Sequence, residues 1–354
     1  MHKIIFAFFG QNRFFSVFKK EVIKIRKCFN STCEIYYQYE EGQLSDIELK
    51  ELKNYNVILR QTKEVDEESL MKFDPFLKER EISKLRKMGG GLRRATIWRQ
   101  IIDLRSFLDF INKDFSHKSY LVRMRPDYSM NKKFYKKLLI NPEYLFPDAP
   151  ESLVFNNKIW VMFASATHPF YLHDAVFGGT INDLNKLIDS ENNLCLKDYY
   201  PTNTGLPTFF FIRPFIEQKN IQNAMHILKN KSFDYAMLKD ERYLQALSDY
   251  HIELTKSFNV EYFDSTWYVQ WLNGKGVKRI WIPFNTIFSF WVLPYLITHK
   301  RLMPMAIEIN YSFRQIQKNI SLLPRHNPLS SVFIDKLLYF FYKIIKKVLN
   351  LGKI

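Results

Sequence analysis

The apolar positions fall into blocks whose spacing changes along the chain. Ile4 to Phe9 is an unbroken apolar run closed by Gly10-Gln11-Asn12, and Phe14 to Phe29 then places apolar residues three and four apart among lysines and arginines. The first pattern predicts a buried strand, the second an amphipathic helix, and the polar triplet the loop between them. Glu34 to Tyr39 predicts another strand, Asp46 to Lys53 a short helix opened by an acidic cap, and Asn56 to Arg60 a third strand. The order β-α-β-α-β implies a parallel sheet with helices on its faces.

Asp66 to Met88 is densely charged and runs into Gly89-Gly90-Gly91, which predicts a mobile loop. Arg94 to Ile111 follows with Ile97, Ile101, Leu104, Leu108 and Ile111 at helical spacing. Tyr120 to Arg125 predicts a strand broken by Pro126, which has no amide proton for the ladder. A further strand is expected at Ile159 to Ala164, leading through His168 to Gly179 into a helix that begins near Asn182. The apolar stretch Ile280 to Thr298 is interrupted by Pro283, Asn285 and Pro294, which argues against a membrane-spanning helix. Near the end, Val332 to Ile354 sets Leu337, Phe341, Ile344 and Val348 on one helical face and Lys336, Lys343 and Lys347 on another. This pattern predicts a helix lying on an anionic membrane surface, with docking onto the rest of the protein as the alternative. The expected organisation is one α/β domain over residues 1–310 and a basic amphipathic segment over 311–354.

Composition changes the picture in two ways. With 47% hydrophobic residues and only 11 glycines in 354 positions, the chain has the material for a sizeable core. Its formal charge of +16 points to polyanionic partners: nucleic acid, an anionic bilayer or phosphorylated substrates. The lysines are dispersed, and no helix-turn-helix, zinc-finger or RNP signature is present, so nucleic acid is not the expected partner, although a basic nucleic-acid-binding protein is the alternative class. Cys28, Cys33 and Cys195 form no CxxC pair, which fits a reducing, cytoplasmic compartment better than a disulfide framework. No P-loop, HExxH, GxSxG or GxGxxG motif occurs.

Ligands of open α/β sheets sit beyond the carboxyl ends of the strands, so residues there are the first candidates. Arg123, Arg125 and Asp127 alternate with Val122, Met124 and Pro126 and are expected to point to one side. Arginine forks suit a diphosphate, and a carboxylate suits a divalent cation or a ribose; a structural Arg–Asp ion pair is the alternative. Gly10 and Gln11 end the first strand, where a nucleotide base or ribose makes contact in many such sheets. Asp174, preceded by His173, is a candidate general base or acceptor-orienting group, and a capping aspartate is the plainer reading. Phe177-Gly178-Gly179 would let backbone approach a sugar closely. Tyr199 to Pro207 and Glu241 are weaker candidates, each explained equally well as a surface loop and a helix start.

Three blocks together resemble the WavE-type lipopolysaccharide-biosynthesis proteins, glycosyltransferases with a GT-A-like nucleotide-sugar fold. They are Ala95-Thr96-Ile97-Trp98-Arg99-Gln100-Ile101-Ile102, the strand end Arg123 to Asp127, and His173-Asp174-Ala175-Val176-Phe177-Gly178-Gly179. The resemblance implies a GT-A-like α/β fold and a nucleotide-sugar co-substrate. It implies a donor site at Arg99, Gln100, Arg123, Arg125 and Asp127, which the strand-end residues Gly10 and Gln11 would complete, catalytic roles for Asp174 and Asp127, and acceptor contacts at His173, Phe177 and Gly178. The acceptor would be a lipopolysaccharide, capsule or other lipid-linked glycan at the inner face of the cell membrane. Many GT-A enzymes carry Asp-x-Asp where this chain has Arg-x-Asp. A manganese or magnesium ion held by Asp127 is therefore one expectation, and metal-free neutralisation by Arg123 and Arg125 the other. A scaffold of a polysaccharide assembly complex that has lost catalysis is a further alternative.

Overall fold

The computed structural model describes residues 3–10, 14–63, 93–162, 172, 175–189, 209–215, 217–228, 242, 249, 253–261, 263, 265–270 and 277–282. Its strands are β1 (Ile4–Phe9), β2 (Cys33–Glu40), β3 (Val57–Thr62), β4 (Tyr120–Met124), β5 (Tyr128–Met130), β6 (Ile159–Val161), β7 (Val176–Thr180), β8 (Phe258–Val260), β9 (Ser265–Gln270) and β10 (Val277–Ile282). The helices are α1 (Phe15–Phe29), α2 (Asp46–Asn54), α3 (Arg93–Ile111), α4 (Lys132–Ile140), α5 (Pro142–Leu145), α6 (Ile181–Asp189), α7 (Phe209–Ile212) and α8 (Lys219–Leu228).

A seven-stranded sheet runs in the order β3-β2-β1-β4-β7-β6-β8, and a three-stranded sheet in the order β10-β9-β5. The first four strands of the large sheet are parallel, as the βαβ pattern dictates. β7 runs antiparallel to both β4 and β6, while β6 and β8 are parallel, so the sheet is mainly parallel, as expected. The architecture is therefore α/β with a mainly parallel central sheet flanked by helices. β4 stops at Met124, one residue short of the expected end. Beyond it the chain turns, Tyr128 N–H donating to the Arg125 carbonyl at 3.1 Å across Pro126 and Asp127.

Alternation along the strands splits the core between two faces. On one, Phe6 and Phe8 of β1 and Tyr37 of β2 meet α1 and α4, with ring centroids 4.8 Å apart for Phe8–Phe18, 4.7 Å for Phe18–Tyr37 and 5.8 Å for Phe6–Tyr135. On the other, Phe9 and Tyr36 meet Phe107 of α3, each at 5.2 Å. Aromatic pairs in such edge-to-face geometry add about 0.5–1.5 kcal/mol each beyond their area burial. Local signals set the helix ends. α2 is opened by Ser45, not by Asp46: the Ser45 hydroxyl accepts from Glu48 N–H and the Glu48 carboxylate accepts from Ser45 N–H, a reciprocal capping box. In the last turn of α1, Arg26 donates to the carbonyls of Tyr55, Cys33 and Asn56 and so ties the helix to the connections flanking β2 and β3.

Among the described residues no helix is long and apolar enough to cross a membrane. The expected mobile loop at 66–88, the segment 199–207, Glu241, the stretch 283–298 and the basic segment 311–354 lie outside the described residues. So does the junction expected between domains near 310.

Candidate functional site

The strand order singles out one place on the large sheet. From β1 the chain crosses to β2 and β3 on one side, then returns to β4 on the other side of β1. α1, which leaves β1, lies on one face and α3, which leads into β4, on the other, and the crevice at the carboxyl ends of β1 and β4, where the strand order reverses, is the topological switch point, where open α/β sheets bind ligands. β1 and β4 are paired in register from Ile4–Tyr120 to Phe8–Met124, so Gly10 and Arg125 reach the same edge. β7 enters from that edge, because Val176 pairs with Met124 and Arg125 N–H donates to the Ala175 carbonyl at 3.1 Å.

Arg125 and Asp127 form a bidentate pair at this edge. The Arg125 fork donates from Nε to Oδ1 at 2.9 Å and from Nη2 to Oδ2 at 2.6 Å. Asp127 is buried, whereas the Arg125 side chain keeps 27% of its exposure, and its guanidinium lies 5.9 Å from the Tyr128 ring centroid. A carboxylate below and a partly open guanidinium above is an arrangement that fixes the direction of a positive charge.

Arg123 is placed differently. It is buried on the α3 face, with Nη2 donating to the Gln100 side-chain oxygen at 2.9 Å and its guanidinium 5.6 Å from the ring of Phe177, its cross-strand neighbour. The structure thus brings Gln100, Arg123 and Phe177 together, and separately Arg125 with Asp127. Alternation continues only to Met124, since the turn at Pro126 carries Asp127 out of the strand. The Gln100 contact confirms that the segment after the triple glycine lies against β4; the side chain of Arg99 lies outside the described residues.

Gly10 is exposed with φ +104°, a left-handed conformation that suits glycine, and its carbonyl accepts from the Tyr37 hydroxyl at 3.3 Å. Gln11, His173 and Asp174 lie outside the described residues. Gly178 is interior to the sheet, between Val122 of β4 and Trp160 of β6. A Cβ there would sit 2.7 Å from the Leu121 carbonyl oxygen and 3.2 Å from the Phe146 ring, so close strand packing accounts for this glycine. Gly179 faces the other side, where a Cβ would stand 2.7 Å from Ile159 Cδ1 and 3.4 Å from Leu184.

Asp127 was one expected metal ligand. Both of its carboxylate oxygens accept from Arg125, and among the described residues no group of three His, Cys, Asp or Glu side chains could hold a metal ion. The described donor set does not fit a metal.

One part of the site's support was missed in the sequence. Glu21 of α1 is buried and accepts from the Ser129 hydroxyl at 2.8 Å, from Met130 N–H at 2.7 Å, from Lys24 Nζ at 2.5 Å and from the Tyr135 hydroxyl. Lys24 donates in turn to the Met130 carbonyl at 2.6 Å. This network fastens β5, which begins one residue after Asp127, onto α1 and α4. Burial and the adjoining carboxylate of Glu21 push the Tyr135 hydroxyl well above its ordinary pKa, which keeps it a donor. A signal was present: Glu21 sits on the apolar stripe of α1 with Phe18, Val22, Ile25 and Phe29, where a carboxylate needs partners to be buried.

No family model matches the chain, and no curated protein does. Solved structures similar to it include the galactosyltransferase LgtC in complex with donor and acceptor sugar analogues. It is 10% identical, with 60% of this chain and 70% of that chain covered at a TM-score of 0.35. Another is a cytidylyltransferase from Leptospira borgpetersenii serovar Hardjo-bovis, 13% identical, with 66% and 77% covered at a TM-score of 0.29. Likenesses this distant fix neither activity nor substrate, which rest on the chain's own residues.

Proposed function

We propose that this chain is a nucleotide-sugar-dependent glycosyltransferase of the GT-A-like, WavE-related kind, with its donor diphosphate at the switch point between β1 and β4. The observation that carries the reading is the partly exposed Arg125 guanidinium, held by the buried Asp127 carboxylate at the carboxyl edge of β4. Gly10, across the same crevice, offers backbone for a base or ribose, and Gln100 and Arg123 back the site from the α3 side.

In the reaction the bond between the sugar's anomeric carbon and the diphosphate oxygen breaks, and a bond from that carbon to an acceptor hydroxyl oxygen forms. The electron pair of the broken bond leaves with the nucleoside diphosphate, where charge grows on the oxygens nearest Arg125. A positive group already oriented by Asp127 stabilises that charge without reorganising during the step. The hydroxyl proton passes to a base, for which Asp174 is the candidate. The resemblance supplies the acceptor class, a lipid-linked or surface glycan, with His173 toward the acceptor side, while the buried ring of Phe177 packs behind it against Arg123. Residues 311–354 supply a basic segment toward an anionic membrane on the cytoplasmic face.

The test is a thermal-shift panel of UDP, GDP, CMP and dTDP, with and without manganese. A ligand at 100 times its Kd stabilises the native state by about 2.7 kcal/mol, so one nucleotide should stand out, and Arg125→Ala should abolish its shift. Equal, absent responses to all four nucleotides would remove the proposal.

A further inference from the structure

We infer that α4 is a membrane-contact surface, one that lays a basic and apolar helix face on an anionic lipid headgroup layer. At 100° per residue, Phe134, Tyr135 and Leu138 occupy the inward arc of α4 and are buried. Lys132, Lys133, Lys136, Leu139 and Ile140 share the opposite arc of about 120°, and all five are exposed. Ile140 is 81% and Leu139 44% exposed, adjacent apolar residues at the end of a helix whose other outward positions are lysines.

Among the described residues, the fold explains neither half of this face. Leu139 and Ile140 turn away from a core that already takes three side chains of the same helix. Lys132 and Lys133 stand in the first turn, which contains no acidic residue, and there the helix dipole disfavours cations. Capping by Asn131, which accepts from Phe134 N–H at 3.1 Å, offsets part of that cost without involving the lysines. Between Asn131 and Pro147 the chain carries four lysines and one carboxylate, Glu143. An anionic bilayer satisfies both halves together: the lysines meet headgroup charge while Leu139 and Ile140 enter the acyl boundary. A purely polyanionic partner would leave the apolar pair in water, and a purely apolar one would desolvate the lysines. The helix starts where Tyr135 reaches Met124 near the carboxyl edge, and α5 after it leads to Phe146 stacked on Tyr120 at the far end of β4. Contact through α4 therefore lies along a flank and leaves the switch point open.

The experiment is hydrogen exchange on the full chain with vesicles of phosphatidylcholine alone or containing 30% phosphatidylglycerol, a composition chosen as the probe. Anionic vesicles should slow exchange in peptides covering residues 132–145, neutral vesicles should not, and added salt should reverse the effect. Leu139→Gln/Ile140→Gln and Lys132→Gln/Lys136→Gln should each weaken vesicle co-sedimentation severalfold, while nucleotide shifts at the switch point stay unchanged. Vesicle binding with no protection in 132–145, or protection that appears without vesicles as the protein concentration rises, would overturn the inference in favour of another surface or of self-association.

Discussion

At the scale of single residues, the arrangement at the edge of β4 divides labour between two arginines. Arg123 is sequestered with Gln100 and Phe177, so its charge acts within the structure, while Arg125 presents a guanidinium toward the crevice. Replacing Arg125 by lysine keeps the charge but loses the two-pronged grip on Asp127 that sets its direction. Arg125→Lys should therefore lower kcat/KM for the nucleotide sugar by about 10- to 100-fold, about 1.4–2.7 kcal/mol of transition-state stabilisation, with little change in melting temperature. Steady-state kinetics beside a melting curve check this, and a lysine variant with wild-type kcat/KM would deny Arg125 its role. Glu21 makes the contrasting case. Its removal leaves Lys24 beside a buried tyrosine hydroxyl with no carboxylate, so Glu21→Ala should cost about 2–4 kcal/mol in urea unfolding, somewhat below the range for fully buried pairs because Lys24 retains some exposure. A loss below about 0.5 kcal/mol, the scale of an ordinary surface change, would show that water replaces the network.

At the scale of elements, legibility followed the strength of local periodicity. β1, α1, β2, β3 and α3 were readable because each is long enough to show a period, and the order of the first three strands fixed their parallel pairing. β7 was not. Val176-Phe177-Gly178-Gly179-Thr180 has a low-propensity centre, and it forms a strand because β4 and β6 pair with it from both sides. In the sequence its glycines read as openings toward a sugar, whereas both make room for neighbours inside the sheet. The position of Arg123 shows the same limit in another form: its residue type marked the strand end correctly, but only the tertiary contact with α3 decided that it would be buried. α4 gives little periodic signal, because its nine residues alternate lysine pairs with apolar pairs and its inward face is only three side chains wide. The account of β7 is testable at Gly178. A methyl group would meet the Leu121 carbonyl at 2.7 Å, and backbone in a paired strand yields little, so Gly178→Ala should destabilise by about 1–3 kcal/mol, as overpacking does. Urea denaturation measures it, and an unchanged midpoint would mean that β4 and β7 can part at this point.

At the scale of the whole molecule, the core contains buried tyrosines among its phenylalanines, and their hydroxyls are held in their neutral form. Burial raises Tyr36 to about 12, and it pushes Tyr37 and Tyr135 upward as well, with nearby glutamates adding to the effect. Burial also lifts the Cys33 thiol to about 12. In each case the folded state binds the proton more tightly than the unfolded chain, whose cysteine and tyrosine release theirs near their ordinary values of about 8.5 and 10. The stabilisation is thus fully present below those unfolded values and is lost as the pH rises through the window up to the folded ones. Each group can contribute a slope of up to about 1.4 kcal/mol per pH unit within its window. Stability should be level from neutral pH to the onset of thiol ionisation, then fall with increasing steepness once tyrosines of the unfolded chain begin to ionise. Neutralisation of lysines acts in the opposite direction by relieving the repulsion of a net charge of +16, so a midpoint alone is ambiguous. Tyrosinate absorbance followed together with far-ultraviolet circular dichroism separates the two. A fraction of the tyrosines should ionise only as the helical signal collapses, in one coincident transition. Tyrosines that all titrate while the sheet and helices remain intact would mean that the aromatic core admits charge, and that its burial is not what holds these hydroxyls neutral.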